Sequence, residues 1–150
     1  MIIDIDNHSG VEVDLDSLHR QADFVLTRLR INPESELSIT LCDESEMTEL
    51  HIKWMDEPGP TDVLSFPMDE LRPGGDGELP EPGMLGDIVI CPQVAQRQAE
   101  TAGHKTADEL ELLLAHGILH LLGYDHAEPE EHAQMFGLQQ ELLAAWTLQS

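Results

Sequence analysis

Apolar residues recur along this chain at two spacings, and each spacing indicates a different kind of element. Short runs that alternate, or that are apolar throughout, predict strands, whereas recurrence at every third or fourth residue predicts amphipathic helices. Four strands are expected, at residues 1–6, 37–42, 62–66 and 85–91. Five helices are expected, at residues 14–30, 44–54, 92–103, 106–122 and 129–148.

The order of these elements predicts an α+β fold. We expect a single domain over residues 1–150, with a small mixed β-sheet packed against about five helices. The helix over 106–122 is apolar nearly all round, so it should be the central buried helix, opened by a capping box of Thr106 and Glu109. Residues 67–82 are rich in Gly, Pro and acidic side chains, which predicts a flexible loop.

Three histidines lie on or just after the central helix, in the run H-G-I-L-H-L-L-G-Y-D-H. His116 and His120 are one helical turn apart and share a face. Gly123 allows the chain to leave the helix and turn back, so that His126 completes a triangle. Three neutral imidazoles leave a tetrahedral Zn²⁺ one open position, as in catalytic sites, and Ni²⁺ or Cu²⁺ would also fit.

Hydrogen-bonded core histidines are the simpler interpretation of such residues. That interpretation leaves polar nitrogens without partners on an apolar helix, at about 1–3 kcal/mol each, whereas a metal satisfies one nitrogen per ring. The remaining nitrogens need acceptors, for which Asp125 is one candidate. The other five histidines are expected at the surface, and His132 lies nearest the triad in sequence.

The histidine spacing is also that of the metzincin peptidases, which carry a glutamate directly after the first histidine as general base. In this chain that residue is Gly117, which cannot accept a proton. A peptidase is therefore disfavoured, although its ligand spacing is present.

The net charge of −23, from 7 basic and 30 acidic residues, disfavours a strong non-specific grip on nucleic acid. Cys42 and Cys91 are expected to be buried thiols rather than a disulfide. No apolar run is long enough for a membrane span, and the N-terminus does not resemble a signal peptide, which together point to the cytoplasm.

Two further segments join the histidine run in resembling the YbeY endoribonucleases, bacterial rRNA maturation factors. These segments are T-D-V-L-S-F-P (61–67) and L-G-D-I-V-I (85–90). The resemblance implies a zinc-dependent, single-strand-specific endoribonuclease acting in late 16S rRNA 3′-end maturation and ribosome quality control. It makes His116, His120 and His126 the zinc ligands. Implied partners are rRNA, the small ribosomal subunit with one of its proteins, and an assembly GTPase.

The chain departs from the family pattern at one position. Family members often have an arginine a few residues before the second segment, where this chain has Met55. Lys53 or Arg72 would have to replace that arginine if the reaction needs it. With so few cations, the chain could bind RNA in two ways. In the first, Arg72, Arg97 and Lys105 line one groove that holds the RNA. In the second, basic ribosomal proteins bind the acidic surface and deliver the RNA locally. We favour the second.

Two carboxylates, Asp125 and Asp87, are candidates to accept a proton or orient water. The nucleophile is either water activated by zinc, which lowers its pKa to about 7, or the 2′-hydroxyl of the RNA. Two other functions compete with an endoribonuclease: a metallohydrolase acting on peptides, and a non-catalytic ribosome assembly factor with structural zinc. A structural site usually includes cysteine, and neither cysteine lies near the histidines.

Overall fold

The computed structural model describes residues 1–149, and within that range all nine expected elements are present in the expected order. The four strands are β1 (Ile2–Asn7), β2 (Glu36–Leu41), β3 (Val63–Pro67) and β4 (Met84–Ile90). The five helices are α1 (Leu15–Arg28), α2 (Glu44–Met55), α3 (Pro92–Ala102), α4 (Thr106–Leu121) and α5 (Pro129–Gln149).

The strands form one mixed sheet in the order β1-β2-β4-β3. β2 pairs in parallel with both β1 and β4, whereas β3 pairs antiparallel with β4. The apolar strand β4 is therefore internal, and β3, which carries the second motif segment, is an edge strand. The predicted α+β fold with a small mixed sheet and five helices is confirmed.

The two faces of the sheet bury different sets of side chains. Ile39 and Ile88 face the main core, which α1, α4 and α5 complete. Val89, the neighbour of Ile88 along β4, faces a smaller apolar cluster with Met47 of α2 and Cys91. Successive side chains of a strand point to opposite faces, so each β4 residue belongs to one of these two environments.

Helix α4 is the central helix of the main core, as its sequence predicts. Nine of its sixteen residues are buried, and its neighbours include α3, α5, β3 and β4. The expected capping box does not form, and only one of its two hydrogen bonds is present, one residue earlier. Lys105 has extended backbone and is the N-cap, so its N–H donates to Asp108 (3.3 Å), while Glu109 instead contacts Nε2 of His104 (2.6 Å).

The segment between β3 and β4 has no helix or strand, but hydrogen bonds fix its course. The N–H of Met68 donates to the carbonyl of Leu85 (3.1 Å), and that of Gly74 donates to the carbonyl of Leu29 (3.2 Å). Arg30 donates from Nη1 to the carbonyl of Gly75 (2.7 Å). The expectation of a flexible loop therefore missed contacts that only the folded chain provides.

Among the described residues, no helix combines the length and the apolar character needed to cross a membrane.

Candidate metal centre

The three histidines converge at the C-terminal end of α4. One ring nitrogen from each of His116, His120 and His126 lies within 4.8 Å of the other two. The Nε2 atoms of His116 and His120 are 3.1 Å apart. Two nitrogens bound to one tetrahedral Zn²⁺ would be about 3.3 Å apart, given Zn–N bonds of about 2.0–2.1 Å. The triangle therefore has the dimensions of a metal site.

Gly123 makes this triangle possible. Its φ of +94° lies in the left-handed region, which non-glycine residues rarely adopt. Its N–H donates to the carbonyl of His120 (3.1 Å), and the N–H of Tyr124 donates to that of Leu119 (3.1 Å). The helix ends in a tight turn, and the chain reverses to bring His126 back, as the sequence predicts.

Helix α5 supplies a partner that fixes the orientation of His116. Nδ1 of His116 lies 2.9 Å from Oε1 of Gln139, whose side chain is buried. An amide oxygen only accepts hydrogen bonds, so His116 carries its proton on Nδ1 and directs the Nε2 lone pair into the triangle. This tautomer is the one that a cation at Nε2 requires.

Burial favours the neutral form of His120. Burial lowers the pKa of its imidazole below the ordinary value, and positive charge on His116 or His126 would lower this pKa further. Asp125 and a backbone hydrogen bond with Tyr124 act in the opposite direction. Because only a neutral imidazole offers a lone pair, His120 is suited to hold a divalent cation, and the three-nitrogen donor set fits zinc.

An aromatic side chain that the motif does not reveal forms one wall of the centre. Phe136 of α5 has its ring centroid 5.7 Å from that of His116 and 5.9 Å from that of His126. His132 stacks on Phe136 (4.4 Å) and lies 6.4 Å from His126. The spacing of His132, Phe136 and Gln139 places them on one face of α5, which can be recognised from sequence. That this face packs against the histidine triangle is shown only by the packing of α5 against α4.

Gly117 packs directly against the sheet. A Cβ atom at this position would lie 3.0 Å from Cγ2 of Ile88 and 3.3 Å from Oγ of Ser65. Ser65 also donates to the Gly117 carbonyl (3.1 Å). The position that carries the metzincin glutamate therefore has little room for a side chain, which gives a steric reason for the absence of that base.

The two candidate carboxylates lie in different environments. Asp125 is exposed beside the triad, accepts the N–H of His126 (2.7 Å), and is near enough to His120 to raise its pKa. Asp87 lies on the sheet face opposite α4, because its neighbour Ile88 contacts Gly117. The structure thus brings Asp125, but not Asp87, to the side of the sheet on which the histidines lie.

Asp87 lines a cleft of 760 Å³ between α2 and the sheet, together with Trp54, Met55 and Phe66. Trp54 is 57% exposed and meets Phe66 edge to face, at 6.0 Å. Trp54 is left partly exposed, because α2 covers only part of this face. Met55, which replaces the family arginine, also lines this cleft.

Among the described residues, the basic groove that is the less favoured of the two routes to RNA does not form. Arg97 of α3 makes an ion pair with Glu44 of α2, and Lys105 precedes the first residue of α4, at the opposite end from the histidines. Lys53 lies over the ring of Trp54 (5.2 Å). Arg72 alone of these four cations approaches the histidine-bearing turn.

His51 is the exception among the histidines expected at the surface. Its side chain is only 13% exposed, and its two ring nitrogens lie 3.0 Å from the Gly59 carbonyl and 3.1 Å from the Glu57 carboxylate. It secures the turn before the motif segment that begins at Thr61.

A family model described as Endoribonuclease YbeY matches residues 4–147, which include all three histidines and both other motif segments. This chain belongs to the YbeY family. Membership of the YbeY family confirms the prediction of an endoribonuclease, a hydrolase that acts on RNA. The histidine triangle accordingly belongs to a nuclease. Its spacing resembles that of the metzincin peptidases only in the arrangement of the three histidines.

Relatives of this chain carry the same family name and match it along nearly its whole length. An Endoribonuclease YbeY of Thermobifida fusca is 64% identical over 146 residues, covering 97% of this chain and 94% of its own. One from Mycobacterium sp. strain KMS is 58% identical over 148 residues, covering 97% and 84%. The solution structure of TM1509 from Thermotoga maritima matches with a TM-score of 0.67 at 25% identity, covering 97% of this chain and 89% of that protein.

Proposed function

We propose that this chain is a zinc-dependent, single-strand-specific endoribonuclease that acts in late maturation of the 3′ end of 16S rRNA and in ribosome quality control. The observation that carries the proposal is the three-histidine triangle in a member of the YbeY family. Residues 1–150 would form one metal-dependent hydrolase domain.

In the proposed site, His116, His120 and His126 hold one Zn²⁺ ion, with Gln139 fixing the tautomer of the first ligand. A bound Zn²⁺ would polarise a phosphoryl oxygen and acidify water near neutral pH. The chain's part is to present three neutral nitrogens in fixed geometry and to leave one side of the triangle open. The absence of cysteine from this donor set supports a catalytic rather than a structural ion.

Asp125 is the proposed proton acceptor. Its carboxylate is exposed next to the triad and is oriented through Oδ1 by the backbone N–H of His126. One oxygen is thus engaged while the other is available to a water molecule or to the 2′-hydroxyl of the RNA. Asp87, the other predicted acceptor, would act only if the substrate passed around the edge strand β3 into the cleft, so we assign proton transfer to Asp125.

The net charge of −23 opposes direct binding of RNA, so we propose that basic proteins recruit this enzyme to its substrate. The cations do not form a continuous groove, so long-range attraction to RNA phosphates is weak. A basic protein of the small ribosomal subunit would bind the acidic surface and hold rRNA near the histidines, with an assembly GTPase as a further partner. Such an enzyme would act where ribosomes are assembled, in the cytoplasm.

Metal content combined with cleavage tests this proposal. Purified protein should contain about one zinc ion per chain, and it should cut a precursor of 16S rRNA at its single-stranded 3′ region. A chelator should abolish cleavage, and added zinc should restore it. His116→Ala should lose both metal and cleavage, while His19→Ala, which alters an exposed histidine of α1, should lose neither.

Three results would count against the proposal, against recruitment, or against one of the two nucleophiles. Cleavage by His116→Ala at the normal rate, with the fold intact, would favour a non-catalytic assembly factor. A 2′,3′-cyclic phosphate on the product would exclude water as the nucleophile. Equal cleavage of naked RNA and of ribosomal particles would exclude recruitment by ribosomal proteins.

A further inference from the structure

The guanidinium group of Arg72 packs flat against the turn that connects two of the three histidines. A Cβ atom built on Gly123 would lie 2.7 Å from Cζ, 3.0 Å from Nε and 3.0 Å from Nη1 of Arg72. Gly123 follows His120 by three residues and precedes His126 by three. The guanidinium can approach so closely only because this residue has no side chain.

Arg72 differs from the other four arginines in lacking a partner that neutralises or covers its charge. Arg20, Arg30 and Arg97 make ion pairs with Asp16, Asp76 and Glu44, and Arg28 lies over the ring of Phe24. For Arg72, residues 1–149 provide no carboxylate within 4.0 Å, and its one hydrogen bond runs from Nη1 to the carbonyl of Leu71 (2.8 Å). In a chain with 30 acidic residues, an arginine left unpaired beside a metal site indicates an anionic ligand.

The backbone before Arg72 is held in place at the start of β4. The N–H of Leu71 donates to the carbonyl of Asp69 (2.9 Å), and the N–H of Asp69 donates to the carbonyl of Met84 (2.9 Å). The Asp69 carboxylate in turn accepts the N–H of Met84 (2.8 Å). These bonds fix the backbone that carries Arg72, so that its guanidinium meets the Gly123 turn without a large entropic cost of ordering.

We propose that Arg72 binds the scissile phosphate of the RNA substrate. The proposal rests on the proposed function, since it needs a phosphodiester at the histidine triangle. Arg72 rather than Lys53 is assigned this role, because Arg72 contacts the turn between His120 and His126, whereas Lys53 lies over Trp54 in the cleft on the opposite face of the sheet.

The chemistry of a guanidinium suits this task. Its planar fork has five N–H donors, of which the Leu71 carbonyl takes one, so the others can bind two phosphate oxygens at once. Negative charge on these oxygens increases as phosphodiester cleavage proceeds, so a fixed cation binds the transition state more tightly than the substrate.

Two substitutions of Arg72 and one control test the proposal in the zinc-loaded protein. Arg72→Gln removes the charge, and Arg72→Lys keeps it without the bidentate geometry. Arg20→Gln removes the same charge from an exposed arginine on α1. Zinc content and melting temperature should be unchanged in all three variants, because none of these side chains is a ligand or is buried.

The first readout is affinity for inorganic phosphate, measured by calorimetry, and the second is cleavage of a single-stranded RNA. Arg72→Gln should weaken phosphate binding about tenfold, as expected for loss of a charged hydrogen bond. It should lower kcat/KM about 100-fold, mostly through kcat. Arg72→Lys should recover part of both losses, and Arg20→Gln should behave like the unaltered protein.

Normal phosphate affinity and normal kcat/KM in Arg72→Gln would overturn the proposal, and so would loss of zinc from this variant, since Arg72 would then support only the turn. Failure of the unaltered protein to cut any RNA would instead refute the proposed function. In that case a fall in phosphate affinity confined to the Arg72 variants would still establish the anion site.

Discussion

His116 of α4 and Gln139 of α5 are joined by a hydrogen bond of 2.9 Å between Nδ1 and Oε1, across 23 residues of sequence. Gln139 is buried, so its amide cannot turn to solvent for another partner. Through this hydrogen bond, the packing of α5 against α4 sets the direction of the Nε2 lone pair of His116. The long last helix is thereby part of the metal centre, although it contributes no ligand.

We expect replacement of Gln139 by leucine to weaken zinc binding by about 10–100-fold, the usual effect of removing a partner of a metal-bound histidine. The leucine fills the space but cannot accept the Nδ1 proton, so both the tautomer and the ring orientation become free. Competition with a chromophoric chelator measures the zinc affinity. Gln140→Leu is the matched control, because Gln140 is exposed on the same helix. Equal affinities of the two variants would show that Gln139 does not orient His116.

Gly117→Ala should destabilise the protein by about 1–3 kcal/mol, the usual cost of adding a methyl group to a well-packed core. The new Cβ would lie 3.0 Å from Ile88, so either the helix or the strand must move. Gly137→Ala in α5 is the control. It has open space around its Cβ position, and the change should stabilise the helix by about 0.5–1 kcal/mol. Urea unfolding measures both values, and a neutral effect at position 117 would contradict the packing.

The two buried thiols should be unreactive in the folded protein. Burial raises the pKa of Cys42 to about 12 and also raises that of Cys91. Since the thiolate is the reactive form, iodoacetamide should label neither residue at mildly alkaline pH and both after unfolding in concentrated urea. Rapid labelling of the native protein would show that the small cluster around Met47 opens readily.

The same pKa shift makes stability depend on pH. A thiol whose folded-state pKa is raised keeps its proton in the native state after the unfolded chain has lost it. The free energy of unfolding should therefore fall as the pH rises above the ordinary thiol pKa toward about 12. Cys42→Ala should reduce this slope, although it leaves a cavity.

Glu111 of α4 is expected to reduce stability at neutral pH. Burial raises the pKa of its carboxyl group, partly opposed by Trp146. The native state therefore holds this proton more tightly than the unfolded chain does. The protonated carboxyl group of Glu111 stabilises the native state in acid, and this stabilisation is lost as the pH rises from the ordinary carboxyl pKa through the raised one. Glu111→Gln should raise the melting temperature at neutral pH and have little effect in acid. Glu141→Gln, at an exposed position of α5, should change the melting temperature at neither pH.

Sequence periodicity predicted all nine elements, because strands and helices bury apolar side chains at different spacings, and polar or glycine residues cap several of the helices. Asp14 and Asp43 cap α1 and α2 through their side chains, and Gly103 follows α3 in the left-handed conformation. The capping box predicted for α4 was wrong, because the order of candidate residues does not show which one leaves helical geometry, and Lys105 rather than Thr106 is the N-cap.

The convergence of the three histidines was also predictable from sequence, since His116, His120 and Gly123 are close neighbours on one helix and its terminal turn. Local geometry determines their relative positions whatever the rest of the chain does. The same reasoning correctly removed the peptidase base at Gly117.

Contacts between distant segments could not be predicted in this way. Gln139 meets His116, and Arg72 meets Gly123, only because helix packing and the β3–β4 segment bring them together. Likewise, Ile88 and Asp87 are neighbours along β4 and therefore point to opposite faces of the sheet, Ile88 toward α4 and Asp87 toward the cleft beside α2. Local sequence patterns were enough to predict the elements and the clustering of the three histidines, because both depend on geometry within one short segment. Tertiary structure decided which groups surround those histidines, because that depends on how elements far apart in the chain pack.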